Sequence, residues 1–193
     1  MLNGTTSRSQ QAWLFAQNFF KHPKMIGSFI PSSRYLIDRL LGEVNWRRMK
    51  VVVEYGPGVG TITRELLQRM PAGAVLIAIE MNDDFVSYLR ATIQDPRLIV
   101  VHGSAAEVRG ILRARGIEAA DCVISGIPFT AMPEPVRERV IQETREALDE
   151  DGKFLVYQFT RAVLPHLREV FGSVRTDFEP LNILPAQLFF CSR

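Results

Sequence analysis

A β-branched, apolar run, Lys50 to Tyr55, leads without a break into Glu54-Tyr55-Gly56-Pro57-Gly58-Val59-Gly60 and then into a helical pattern from Thr61 to Met70. No other stretch restricts the fold as strongly. Strand, glycine loop and helix in this order put the loop at the carboxyl end of a strand, where open α/β sheets bind their ligands. Glycines there remove side chains that would hold a ligand away from the backbone. The dinucleotide spacing G-x-G-x-x-G is not met, because Thr61 stands at its third position and the last glycine falls at 60. A phosphate loop is excluded too, since no Gly-Lys-Ser/Thr follows.

Strands and helices alternate onward from this loop. Strands are predicted at Ala74 to Glu80, Arg97 to His102, Asp121 to Ile127 and Lys153 to Thr160. Helices are predicted at Asp83 to Ile93, Ala105 to Arg115, Glu134 to Leu148 and Ala162 to Phe171, with Asp149 to Gly152 read as a turn. Five strand-then-helix units imply an α/β fold with a mainly parallel sheet. Runs such as Val51-Val52-Val53 suit strands covered on both faces. Two last strands, near Val174 to Phe178 and Gln187 to Cys191, have no helix between them and can form a hairpin, leaving one strand antiparallel. Ahead of the core, Ser9 to Lys21 reads as a helix with Trp13, Phe15, Ala16, Phe19 and Phe20 on a broad apolar face. Ser32-Ser33 can cap a second helix that ends near Leu41-Gly42.

Charge divides the chain unevenly. Residues 1–50 hold eight Lys/Arg against two Asp/Glu, a balance of +6, while residues 51–193 carry −4. A basic first quarter suits an anionic partner, nucleic acid or a lipid surface, or is simply a solvated face. Cys122 and Cys191 lie in apolar runs without metal-site spacing and read as reduced core thiols, which fits a cytoplasmic setting. No apolar run is long enough to span a membrane, and the N-terminus does not read as a signal peptide.

The order E-x-G-x-G-x-G resembles the first motif of Rossmann-like methyltransferases that use S-adenosylmethionine. The resemblance implies a seven-stranded, mainly parallel sheet with one antiparallel C-terminal strand and flanking helices. It also implies a cofactor site made from Glu54, Gly56, Pro57, Gly58 and Gly60, with Glu54 acting through the loop toward the ammonium group. Glu80, twenty residues beyond Gly60 at the end of the second strand, would accept from both ribose hydroxyls, with Met81 beside it. Ser104 and Ala105 would face the adenine, Ser104 standing where many relatives have an acidic residue. No metal is implied.

The segment Ser125-Gly126-Ile127-Pro128-Phe129 resembles the N-P-P-Y motif of amino-group methyltransferases, with Ser for Asn and Phe for Tyr. Ser125 and the Gly126-Ile127 backbone would orient the target nitrogen, Pro128 would shape the turn, and the Phe129 ring would pack on the amine or face core. Positioning of this kind supplies much of the rate in such a transfer. Met25-Ile26-Gly27-Ser28-Phe29-Ile30-Pro31-Ser32-Ser33-Arg34-Tyr35-Leu36 looks like the leading segment of bacterial phosphatidylethanolamine N-methyltransferases of the soluble, peripheral type. Ribosomal RNA adenine dimethyltransferases are related, but this segment lacks their Gln-Asn pair. Ser32, Ser33 and Arg34 could hold a lipid phosphate, or the serines could serve only as caps. Tyr35, Phe29 or Phe129 could face a methylated ammonium.

The expected protein therefore has an N-terminal helical extension, residues 1–45, serving as membrane contact or lid, and a methyltransferase domain, residues 46–193. Its expected reaction moves methyl groups to phosphatidylethanolamine and its partly methylated forms, from the inner face of a membrane to which it binds peripherally through anionic lipid. Two rival readings are an RNA adenine N6-methyltransferase, disfavoured by the −4 body, and a non-catalytic cofactor-binding membrane adaptor.

Overall fold

A computed structural model describes residues 32–193. Seven strands form one sheet: β1 (Val51–Tyr55), β2 (Val75–Glu80), β3 (Leu98–His102), β4 (Ala120–Ser125), β5 (Leu148–Gln158), β6 (Ser173–Glu179) and β7 (Ala186–Ser192), in the order β3-β2-β1-β4-β5-β7-β6. All neighbours pair in parallel except β7, which runs antiparallel to both β5 and β6. The expected terminal hairpin is therefore present, with β7 inserted between its partner and the rest of the sheet.

Among the described residues α1 (Arg34–Leu41) precedes the sheet and five further α-helices connect its strands: α2 (Thr61–Arg69), α3 (Asp83–Thr92), α4 (Val108–Arg113), α5 (Glu134–Ala147) and α6 (Leu164–Val170). Ser33 caps α1, its hydroxyl accepting from the Leu36 N–H at 3.2 Å, and Asn82 caps α3 in the same way. The predicted helix at Ala105 to Arg115 is divided: Ser104 caps a short 3-10 turn, Ala105–Glu107, and α4 follows it. The turn expected at Asp149 to Gly152 is taken into β5, because Leu148 is fully buried and pairs with Ala120 across a register shift in β4.

The parallel strands are apolar on both sides because each face is covered. On one face Leu36, Leu40 and Leu41 of α1 and Ile62 and Leu66 of α2 pack on Val52, Leu76, Cys122, Leu155 and Leu188. On the other, α4, α5 and α6 cover Val53, Ile77, Val123, Phe154 and Phe189. Both cysteines are free and buried. The Asp121 carboxylate accepts from the Lys50 and Val51 N–H groups, each at 2.7 Å, and so ties the start of β1 to β4. The predicted helix Ser9 to Lys21 and the segment through Pro31, Phe29 included, lie outside the described residues.

Register sets what this scaffold presents. Tyr55 lies opposite Ser125, and Glu80 opposite His102, so the carboxyl ends of β1, β4, β2 and β3 share one edge of the sheet.

Candidate active site

The loop after β1 bends through three glycines with positive φ, at 67° for Gly56, 55° for Gly58 and 78° for Gly60. L side chains rarely adopt this conformation. A Cβ on Gly60 would meet Leu89 and Ile93 side chains at 2.8 Å, so its bareness serves the packing of α2 against α3. Gly58 is held by the site itself: its N–H donates to Glu80 Oε2 at 3.1 Å. The other carboxylate oxygen, Oε1, accepts from the N–H groups of Met81 at 2.9 Å and Asn82 at 3.0 Å. Glu80 thus ends β2 as a nearly buried carboxylate clasped by three backbone donors, with acceptor capacity left over. Burial raises its pKa, while those donors and nearby His102 oppose the rise.

Glu54 is buried under the loop, and its Oε2 accepts from the Thr63 hydroxyl at 2.7 Å. Burial pushes its pKa up to about 8, against the pull of Thr63 and helped by the charge of Glu80. The Glu54 carboxyl is therefore largely neutral at pH 7. Met81 stands exposed next to Glu80. Ser104 places its hydroxyl oxygen on the Ala106 N–H at 3.2 Å, and Ala105 is buried behind it. Among the described residues no group of three or more His, Cys, Asp and Glu side chains gathers as a metal site.

The end of β4 departs from expectation at two points. Phe129 is fully buried, edge-on to Phe154 with ring centroids 6.4 Å apart. It is a core residue, withdrawn from the surface where the motif would have an aromatic ring meet the acceptor. The Ile127 carbonyl, expected to help orient the amine, already accepts from the Phe129 N–H at 2.9 Å and from Gln158 Nε2 at 2.8 Å, which fills its two lone pairs. Ser125, by contrast, is buried with a hydroxyl that finds no hydrogen-bond partner among the described residues. A buried orphan of this kind is costly unless something else completes it.

Just beyond Ser125 lies a cavity of about 210 Å³, lined by Gly126, Pro128 and Thr130 from one side and by Tyr157, Gln158, Phe159 and Thr160 from the end of β5. Tyr157 lies so close over Gly126 that any Cβ there would clash with its hydroxyl. Burial raises the Tyr157 pKa, opposed by a hydrogen bond with Ser32. Ser32 is thereby brought to the acceptor cavity. Ser33 is spent on capping, and its own N–H donates to Asn182 Oδ1 at 2.8 Å. Arg34 and Tyr35 lie outward at 91% and 62% exposure, Arg34 beside Asp38 at 3.5 Å. Sequence reasoning missed Tyr157, Gln158 and Phe159. The signal available was their position at the carboxyl end of the strand after β4.

This arrangement suits an adenosine-bearing cofactor: a loop with three positive-φ glycines, a carboxylate at the end of β2 and an uncompleted hydroxyl at the end of β4. The profile of a family described as methyltransferase domain matches residues 52–152. An ornithine lipid N-methyltransferase from Singulisphaera acidiphila is 33% identical over 181 residues, spanning 93% of this chain and 94% of that protein. Ribosomal RNA small subunit methyltransferase A from Laribacter hongkongensis is 33% identical over 82 residues, which are 42% of this chain and only 30% of that one. In fold, the crystal structure of precorrin-6y C5,15-methyltransferase from Geobacter metallireducens superposes with a TM-score of 0.65 at 14% identity, covering 82% of this chain and 87% of that one.

Proposed function

Because this chain belongs to the methyltransferase domain family and takes its methyl group from S-adenosylmethionine, we propose that it methylates the primary amine of a membrane lipid, phosphatidylethanolamine foremost. The cavity beside Ser125 carries this reading. Its walls carry the Thr130, Tyr157 and Thr160 hydroxyls, the Gln158 amide and two aromatic rings rather than a flat slot with an Asn side chain, so it suits a tetrahedral amine that grows as it is methylated. The full-length likeness to an ornithine lipid enzyme favours a second acceptor, an amino-acid-bearing lipid. Both share an amine on a lipid headgroup.

When bound, S-adenosylmethionine supplies an electrophilic methyl group on its sulfonium centre. The backbone of Gly56 to Gly60 would hold the amino-acid portion, and Glu54, releasing its proton to solvent, would offset the ammonium charge. Glu80 would take the ribose hydroxyls on its remaining lone pairs, with Met81, Ser104 and Ala105 beside the base. On the acceptor side Ser125 completes its hydrogen bonding with the ligand, and Tyr157 and Phe159 present ring faces to the cationic product. These rings take over the role that the motif alone would give Phe129. The amine must lose a proton before attack; among the described residues the cavity is lined by no carboxylate or imidazole, and the proposed acceptor of that proton is water. Rate comes chiefly from holding nitrogen and methyl carbon in line. Membrane contact through the basic N-terminal quarter keeps the enzyme at its substrate.

Labelled cofactor should be incubated with vesicles of phosphatidylethanolamine, vesicles of ornithine lipid and ribosomal RNA, and the products identified by mass spectrometry. Methylated lipid supports the reading, and the preferred vesicle decides between the two headgroups. Methylated adenine in RNA with no lipid product overturns it.

A further inference from the structure

Between β6 and β7 the chain makes a short tip, Pro180-Leu181-Asn182-Ile183-Leu184-Pro185, without a single charge. Its Asn182 side chain and Leu181 N–H are hydrogen-bonded within the fold. Asn182 accepts from the Ser33 N–H and donates to the Leu184 carbonyl at 2.9 Å, and the Leu181 N–H donates to Glu179 Oε1 at 2.7 Å. Its apolar side chains are turned the other way: Leu181 is 61% and Ile183 72% exposed, with Leu184, Phe178 and Tyr35 also exposed around them. An exposed apolar group rimmed by polar contacts marks an interaction surface more often than an accident of folding.

Register shows where that surface faces. Gln158, in the wall of the acceptor cavity, pairs with Gln187 of β7, which pairs with Phe178 of β6. Two strand spacings, about 10 Å, therefore separate the cavity wall from the foot of the tip. Because β6 runs parallel to β5, the tip leaves the sheet from the same edge as the glycine loop, Glu80 and the cavity. Charge is arranged to match. Asp177 and Glu179, the carboxylates at the foot of the tip, are both paired with Arg39, at 3.2 and 3.1 Å, while the Arg34 guanidinium projects into solvent nearby. The carboxylates around the tip are thus each paired with an arginine, Asp38 with Arg34 at 3.5 Å among them, and what the tip itself turns outward among the described residues is apolar.

We propose that the β6–β7 tip inserts into the headgroup region of a lipid bilayer and seats the acceptor cavity against it. The inference rests on the lipid-amine reading above and deepens it. A two-chained lipid leaves the bilayer only at a cost that grows with every methylene exposed to water, so a cavity for its headgroup must be brought to the surface. Leu181 and Ile183 enter the boundary, Arg34 meets lipid phosphate, and the amine needs only to rise into the cavity beside them.

The test uses the full chain. Cys122 and Cys191 are buried, so a polarity-sensitive dye can be attached selectively to Ile183→Cys. Dye emission should shift to the blue on vesicles of phosphatidylethanolamine and phosphatidylglycerol. Leu181→Asn with Ile183→Asn should weaken vesicle binding at least tenfold and reduce methylation on vesicles, yet leave methylation of a short-chain, water-soluble phosphatidylethanolamine at the wild-type rate. A dye that stays in water on vesicles, with short-chain lipid still methylated, overturns the tip's role alone. No methylation of either lipid form overturns the underlying reading. A wild-type dimer that the double variant dissociates, with vesicle binding unchanged, assigns the tip to a second copy of the chain and also overturns the proposal.

Discussion

The Glu80 carboxylate accepts a hydrogen bond from the Gly58 N–H at 3.1 Å, joining the end of β2 to the middle of the glycine loop. The residue proposed to hold the ribose therefore also holds the loop proposed to receive the rest of the cofactor. Glu80→Ala should act on both. It leaves three backbone donors without an acceptor and removes the ribose contact. Binding of S-adenosylhomocysteine should weaken by about 1–3 kcal/mol in calorimetry, and the ligand-free protein should melt earlier. Gly58→Val, which forces a β-branched residue to a φ of 55°, should abolish binding. Unchanged affinity in both variants would remove this site.

Glu54 should make stability depend on pH. Its folded pKa, about 8, lies above its ordinary value of 4.5, so the folded state holds the proton more tightly than the unfolded chain does. Its contribution is complete below pH 4.5 and is lost as pH rises toward 8, by at most about 1.4 kcal/mol per pH unit in that window. Glu54→Gln should flatten this part of the melting-temperature profile of the free protein. Calorimetry in buffers of different ionisation enthalpy should also show proton release on cofactor binding at pH 7 in wild type and little in the variant. A variant with the wild-type slope and the same proton release would clear Glu54 of both roles.

Gly126→Ala should impair transfer to the acceptor while sparing cofactor affinity, since the new Cβ drives Tyr157 out of place over the cavity. Tyr157→Ala in the same chain should restore room at Gly126 without restoring the ring face. Packing should then recover while later methylations remain slow. Steady-state rates with separate measurement of mono-, di- and trimethylated product would distinguish the two effects. Equal rates across all three steps in the double variant would refute the role given to Tyr157.

Ser125→Ala should leave the melting temperature unchanged or slightly raised, because it removes a buried hydroxyl that has no partner within the described fold. Methylation should nevertheless fall. A large loss of stability would show that the hydroxyl serves the folded chain rather than a ligand.

The sequence by itself determined the α/β layering, the glycine loop, Glu80 at the end of its strand, the Ser33 cap and the closing antiparallel strand. Each is written in neighbouring residues: apolar runs of strand length, glycines between strand and helix, a hydroxyl ahead of a helical pattern. Tertiary structure alone decided the acceptor side. Phe129 and Tyr157 both stand near strand ends and are both aromatic, and nothing local separates them. Phe129 packs edge-on to Phe154 in the core on one face of the sheet, whereas Tyr157 packs against the core of the other face, over a bare glycine and hydrogen-bonded to Ser32, 125 positions earlier. The direction of Leu181 and Ile183 depends likewise on Asn182 reaching back to Ser33 and on β7 entering between β5 and β6. Such contacts join residues from 25 positions apart, Phe129 and Phe154, to 149 apart, Ser33 and Asn182, and a pattern of period 2 or 3.6 carries no information about partners at those distances.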